Sequence, residues 1–102
     1  MPSFKIIISS RAQDDLAECV GFVLNVSLEA ARNLADEIYA SLETLKTFPE
    51  KNPLFGMPKS FPLPIRKLVI NKRYIVLYSA DGNEVVVYRV LDARRRFDGR
   101  II

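Results

Sequence analysis

The stretch IRKLVINKRYIVLYSADGNEVVVYRVLDARR, residues 65–95, decides the fold. It contains three runs rich in β-branched and aromatic residues, which predict strands at 65–70, 73–79 and 84–91. A turn near Asn71 separates the first two runs. The segment from Ala80 to Asn83 separates the last two, because glycine and asparagine tolerate a positive φ angle. Since both connections are short, we expect the three strands to form an antiparallel meander.

The residues before this stretch predict one more strand and two helices. Phe4 to Ile8 is typical of a strand, and its isoleucines are apolar on both sides of the chain, so an interior position in the sheet is expected. Ser10 and Gln13 form a capping-box pattern at the start of a first helix. Ser27 is suited to cap a second helix, which Pro49 ends.

Both helices carry apolar residues at intervals of three and four, and the link between them is short, so they should pack as an antiparallel hairpin. Residues 50–64 are rich in proline and are expected to be an irregular connection. The predicted order is β-α-α-β-β-β: an α+β fold in which the helical hairpin packs on a small antiparallel sheet. At this length we expect residues 1–102 to form a single domain.

The predicted strands are apolar on both faces, whereas two helices can cover only one. Alternation along the last strand places Val85, Val87, Arg89 and Leu91 together on one face. The face away from the helices would expose large side chains, because the tail from Arg94 to Ile102 is too short and too charged to cover it well. A dimer partner or a segment of another protein is therefore expected there.

The composition excludes several kinds of chemistry. There is no histidine and only one cysteine, Cys19, which excludes an internal disulfide, the usual zinc sites and any Ser-His or Cys-His nucleophile pair. No metal site and no cofactor is expected. The sequence has no apolar run of the roughly 20 residues that span a bilayer and no secretory signal pattern, so we expect a cytoplasmic protein.

The charge of the chain is segregated, although its net value is only +3. Most of the acidic residues lie in the first half, and basic residues dominate after Pro58. This pattern predicts an anionic partner for the second half, either RNA, DNA or an acidic polypeptide, while a solubilising face is the alternative. The basic residues concerned are Lys59, Arg66, Lys67, Lys72, Arg73, Arg89, Arg94, Arg95, Arg96 and Arg100.

The order of these motifs resembles the ParE/RelE superfamily of bacterial type II toxin–antitoxin toxins. Toxins of that superfamily have a basic strand, a Tyr-x-(Ile/Val)-x-Tyr strand, an acidic-Gly hairpin and a closing Val-Leu-His-x-Arg-Arg stretch. The corresponding residues here are Tyr74 to Tyr78, Asp81-Gly82 and Val90 to Arg95. The opening pattern Ser9, Ala12, Asp15, Leu16 is also similar to the first helix of the family, so the resemblance covers nearly the whole chain.

The resemblance implies a toxin of a plasmid-stabilisation type that a cognate antitoxin neutralises, as a hetero-oligomer or a dimer. ParE-like members poison DNA gyrase, and RelE-like members cleave mRNA in the ribosome. Asp92 stands where relatives often have histidine, and Phe97 lies where RelE-type nucleases tend to place tyrosine, so a ParE-like toxin without chemistry of its own is favoured. A RelE-like endoribonuclease and a non-toxic basic nucleic-acid-binding module are the alternatives.

The candidate binding residues are the basic side chains that the resemblance and the charge pattern select together. Arginine is a poor general base because its pKa lies above about 12, so a RelE-like enzyme would use such residues to stabilise phosphate charge. For Arg89, a partner contact and an internal ion pair are both open. The candidate partner-binding residues are Arg66, Lys67, Arg73, Arg89, Arg94, Arg95 and Arg96. The RelE-like catalytic set would be Lys67, Arg73, Arg94 and Arg95.

Overall fold

The computed structural model describes residues 3–56, 62–95, 97 and 99–101. These residues form a sheet of strand order β1-β5-β4-β3-β2 and two α-helices. The strands are β1 (Lys5–Ile8), β2 (Leu54–Gly56), β3 (Ile65–Ile70), β4 (Tyr74–Asp81) and β5 (Glu84–Asp92). The helices are α1 (Ser10–Leu24) and α2 (Leu28–Glu43), and the short 3-10 turns are Thr44–Lys46 and Pro49–Lys51.

The α+β fold is confirmed, because the two helices pack as a hairpin on one face of the sheet. The strands β3, β4 and β5 form the expected antiparallel meander. The sheet as a whole is mixed, since β1 pairs in parallel with β5, with Ile8 opposite Val87.

Two expectations about the sheet are wrong. The strand β1 lies at an edge and not in the interior. Apolar side chains on both sides of a strand indicate that both faces of the sheet are covered at that strand. They do not indicate whether the strand has one neighbouring strand or two. Residues 50–64, expected to be irregular, include β2, which pairs antiparallel with β3 at the other edge. Three residues with no alternation give too little signal to predict a strand.

The helix ends follow from their capping side chains. The Oγ atom of Ser9, and not that of Ser10, accepts from the backbone N–H of Ala12 at 3.1 Å and caps α1. The predicted cap Ser27 is confirmed, since its Oγ accepts from Ala30 N at 3.1 Å. The helix α2 ends at Glu43, before the predicted stop, because the chain tightens there into a 3-10 turn. In the part of the chain described here, no helix is long and apolar enough to cross a membrane.

A β-bulge divides β5 into two halves. Odd-numbered residues face the helices before the bulge and the opposite face of the sheet after it. Leu77 pairs with Arg89 and Tyr78 pairs with Val87, so β5 accommodates one extra residue at Tyr88. Val90 therefore joins Val85 and Val87 under the helices, whereas Leu91 lies with the second face. The predicted grouping of Val85, Val87, Arg89 and Leu91 on one face is wrong beyond Val87.

The second face of the sheet is covered in part by the C-terminal tail. Ile101 buries against Ile65 and Leu77, and Phe97 packs beside them, with its ring centroid 6.3 Å from that of Phe55. The expectation that the tail is too short and too charged to cover this face well is wrong for its centre, where Ile65 and Leu77 lie fully buried. Val69, on the same side of β3 as Ile65, stays 48% exposed, so the tail shields the centre of the face and not all of it.

We predict that Ile101→Ala lowers the free energy of unfolding by about 2 kcal/mol, because it removes a buried side chain that is 7% exposed. Urea denaturation followed by circular dichroism measures the change. The control is Val26→Ala, at a side chain 85% exposed, which should change stability by less than about 0.5 kcal/mol. Equal stabilities of Ile101→Ala and the parent chain would show that the tail does not contribute to the core.

Candidate functional site

On the side where β1 ends, the C-terminal half of β5 is bordered by helix α1 instead of by another strand. β1 ends at Ile8, and from there α1 runs beside the edge of β5. The hydroxyl of Ser9 donates to the carbonyl of Tyr88 at 3.2 Å. The carboxylate of Asp15 accepts from the backbone N–H of Val90 at 3.0 Å. Side chains of α1 and of its N-cap, Ser9, thus supply hydrogen bonds that a neighbouring strand would have made.

Asp15 also forms a two-point ion pair with Arg89. The Nε and Nη2 atoms of Arg89 lie 2.7 Å and 3.3 Å from the two carboxylate oxygens, and the side chains are 8% and 11% exposed. The guanidinium of Arg89 also donates to the carbonyl of Arg100 and lies 5.6 Å from the ring centroid of Phe97. Of the two interpretations left open for Arg89, the structure shows the internal ion pair, which joins helix, strand and tail.

We predict that Asp15→Ala destabilises the fold by about 3 kcal/mol or more, because it leaves the Arg89 charge buried without its carboxylate. Chemical denaturation measures the loss. Asp14→Ala is the matched control, since this neighbouring carboxylate is exposed and its removal should cost less than about 0.5 kcal/mol. The prediction fails if the two variants are equally stable.

Two arginines share the carboxylate of Asp92 at the end of β5. Asp92 pairs with Tyr74, so the start of β4 and the end of β5 meet there. The backbone N–H and the Nε of Arg94 lie 3.0 Å and 3.4 Å from Asp92 Oδ1, and Arg73 Nη2 lies 4.0 Å from Oδ2. The Asp92 side chain is 8% exposed, which leaves it covered by the arginines that it holds.

Arg95 is held at the same end by residues of α1. Its Nη1 lies 2.5 Å from Glu18 Oε1, and its guanidinium carbon lies 4.7 Å from the ring centroid of Phe22. Arg73 lies over Tyr74 in the same way, at 5.0 Å. Stacking on an aromatic ring restrains a guanidinium while leaving its edge able to donate hydrogen bonds. We call Arg73, Arg94 and Arg95 the arginine cluster.

Two of the predicted residues, Arg66 and Lys67, do not join the arginine cluster. Arg66 Nη1 donates to the carbonyl of Asn52 at 2.7 Å, near the other edge of the sheet. Lys67 lies on the rung that contains Leu77 and Arg89, three residues or about 10 Å along β3 from its end at Ile70. The set of four residues considered for RelE-like catalysis is therefore divided, with Lys67 on its own. Arg96 lies outside the described residues.

Three residues of α1 that contact the candidate site were not selected from the sequence. Asp15, Glu18 and Phe22 contact the arginines of the β5 end, and their spacing of three and four places them along one side of the helix. That spacing was a usable signal, and Asp15 belonged to the opening motif. Their partners could not be deduced, since 74 residues separate Asp15 from Arg89.

A small cleft of about 110 Å³ lies between α1 and the end of β5, lined by Asp15, Glu18, Cys19, Asp92 and Arg95 among others. Sites for small molecules usually exceed about 300 Å³, so this cleft is too small for a nucleotide. Burial, and then the negative charges of Asp92 and Asp15, raises the pKa of the Cys19 thiol to about 11. The described residues include no group of three or more side chains that could hold a metal ion.

We predict that Cys19 reacts with a thiol reagent at pH 8 about 100-fold more slowly in the folded chain than in the chain unfolded by guanidinium. The thiolate is the reacting form, and a pKa of about 11 against an ordinary 9.0 reduces its fraction by that factor. Because the pKa of Cys19 is raised, the reaction rate of the folded chain should keep rising with pH up to about 11. A rate that levels off by about pH 9 would contradict a protonated thiol.

Comparison with known proteins identifies the family. The family model for the ParE toxin of type II toxin–antitoxin systems, parDE, matches residues 6–97. The chain belongs to the ParE toxin family. The preference for the ParE-like over the RelE-like side of the superfamily is thereby confirmed. No curated protein matches this toxin.

A solved structure titled "Chromosomal ParDE TA system from P. aeruginosa" is similar in fold to this toxin. The TM-score is 0.68 at 18% sequence identity, and the match covers 87% of this chain and 95% of the other. At this identity the likeness concerns the fold alone. It agrees with the helical hairpin packed on a mixed five-stranded sheet described above.

Proposed function

We propose that this ParE-family toxin acts as a single domain that binds and inhibits DNA gyrase, and that a cognate antitoxin neutralises it in a toxin–antitoxin hetero-oligomer. The observation that carries the proposal is the family match over residues 6–97, nearly the whole chain. Inhibition of gyrase is what the resemblance to ParE toxins implies. Action on gyrase would place the toxin in the cytoplasm.

The geometry of the arginine cluster favours binding over chemistry. Arg94 and Arg95 have side chains 57% and 43% exposed, and carboxylates of Asp92 and Glu18 hold them in place. A guanidinium stays protonated at neutral pH, so the cluster can donate hydrogen bonds to a partner but does not act as a base. The adjacent cleft is too small for a nucleotide, and its thiol is protonated at neutral pH.

We predict that the purified toxin inhibits supercoiling by gyrase, and that the double change Arg94→Ala with Arg95→Ala weakens inhibition at least about 10-fold. The reason is the loss of two charge-assisted contacts, each worth about 1.5–3 kcal/mol. Titration of the toxin in a supercoiling assay gives the half-inhibitory concentration. Arg32→Gln, an exposed arginine of α2 outside the cluster, is the matched control and should inhibit like the parent.

Expression in a bacterial host separates this proposal from the alternatives. A gyrase poison should stop growth with DNA double-strand breaks and filamentation, and the product of a short neighbouring antitoxin reading frame should restore growth when co-expressed. Messages cleaved within translated regions, with intact DNA, would instead identify a RelE-like nuclease. Unaffected growth together with steeply salt-dependent DNA binding would identify a non-toxic nucleic-acid-binding module.

A further inference from the structure

The sheet face away from the helices keeps a row of apolar side chains that the tail does not fully cover. Val69 pairs with Ile75, and Ile75 pairs with Leu91, so the three side chains lie next to one another across β3, β4 and β5, over about 10 Å. Ile75 and Leu91 pack against the buried cluster that contains Ile65 and Leu77. Val69 is 48% exposed, and the other two are half-buried. We call Val69, Ile75 and Leu91 the apolar row.

Lys67 lies beside the apolar row and has no counter-ion. It precedes Val69 by two residues, on the same face and about 7 Å away along β3, and its side chain is half-buried. In the part of the chain that the structure describes, Lys67 forms no ion pair and no side-chain hydrogen bond. The other predicted basic residues with described side chains each contact a carboxylate or a carbonyl: Arg66, Arg73, Arg89, Arg94 and Arg95. The ammonium of Lys67 is therefore free to pair with an acidic group of a partner.

The apolar row is continuous with the arginine cluster. Leu91 directly precedes Asp92, whose carboxylate contacts Arg73 and Arg94 at the end of β5. Lys67 lies on the other side of the row, one pair of residues further along β3 and β4. A single surface thus runs from the arginine cluster over the apolar row to Lys67, with positive charge on both sides of the row.

The composition of this surface selects a protein as its partner. A nucleic-acid backbone is bound mainly by cations, whereas the centre of this surface is aliphatic, and Arg89 on the same face is neutralised by Asp15. Aliphatic side chains flanked by cations suit an apolar side chain of a partner with a carboxylate near it. A second copy of the chain fits less well, because a two-fold axis through the row would place cations against cations.

We propose that the apolar row and Lys67 form part of the surface with which the toxin binds gyrase. The row packs on an apolar side chain of the gyrase protein, and Lys67 pairs with a carboxylate beside it. This inference rests on the proposed function and deepens it, since it assigns the contact to the gyrase protein and not to its DNA. It also places the contact on the face of the sheet opposite the helical hairpin.

The experiment compares substitutions on this surface in the supercoiling assay with purified toxin. Lys67→Glu and Val69→Glu should each raise the half-inhibitory concentration at least about 10-fold, because each places a negative charge at the contact. The matched controls are Lys51→Glu, an exposed lysine, and Val26→Glu, an exposed valine of the helical hairpin. Both controls should inhibit like the parent.

A conservative variant separates a loss of contact from a loss of folding. Lys67→Arg keeps the positive charge and should inhibit within about 2-fold of the parent, whereas Lys67→Glu should not, although both should match the parent in circular dichroism. Surface plasmon resonance on immobilised gyrase without DNA should show the same losses of affinity for Lys67→Glu and Val69→Glu.

The proposal is overturned if Lys67→Glu and Val69→Glu inhibit like the parent. It is also overturned if binding to gyrase requires DNA and both variants bind duplex DNA more weakly, or if the parent is a dimer that Val69→Glu dissociates. A parent toxin that arrests bacterial growth without inhibiting gyrase would reject the proposed function. In that case the two variants decide whether the surface binds another target protein: relief of the arrest supports it, and unchanged arrest overturns it.

Discussion

The ion pair between Asp15 and Arg89 is the interaction on which the rest of the structure depends. One carboxylate accepts from a guanidinium and from the backbone N–H of Val90, so it completes the edge of β5 where β1 has ended. The same guanidinium holds the carbonyl of Arg100. Because each group is nearly buried, neither charge could remain without the other. The ion pair therefore links helix α1, strand β5 and the tail.

The position of the arginine cluster depends on the packing of α1 against β5 and on the pairing of β4 with β5. Once α1 lies along β5, Glu18 and Phe22 are placed to hold Arg95, while the pairing of Tyr74 with Asp92 brings Arg73 to Arg94. The cations are restrained by carboxylates and aromatic rings before any partner arrives. Such preorganisation reduces the entropy that binding must overcome, which supports the proposed action by binding.

Local patterns were enough to predict most of the secondary structure. The strands β3 to β5, the hairpin turn at Gly82, the Ser27 cap and the two amphipathic helices depend on residues close together in sequence. The candidate site was predictable to the same extent: Arg94 and Arg95 follow one strand directly and stay together in the structure. Arg66 and Lys67 were included for their charge alone, and the strand β3 carries them away from the cluster.

The sequence by itself determined the α+β class, the order of the elements apart from β2 and the basic character of the β5 end, because periodicity, capping and turn chemistry act over a few residues. Only the tertiary structure decided the edge position of β1, the bulge at Tyr88, the burial of Ile101 and the pairing of Arg89 with Asp15. These depend on contacts between residues far apart in the chain. Such contacts form when the whole fold buries its apolar surface, so a local sequence pattern does not predict them.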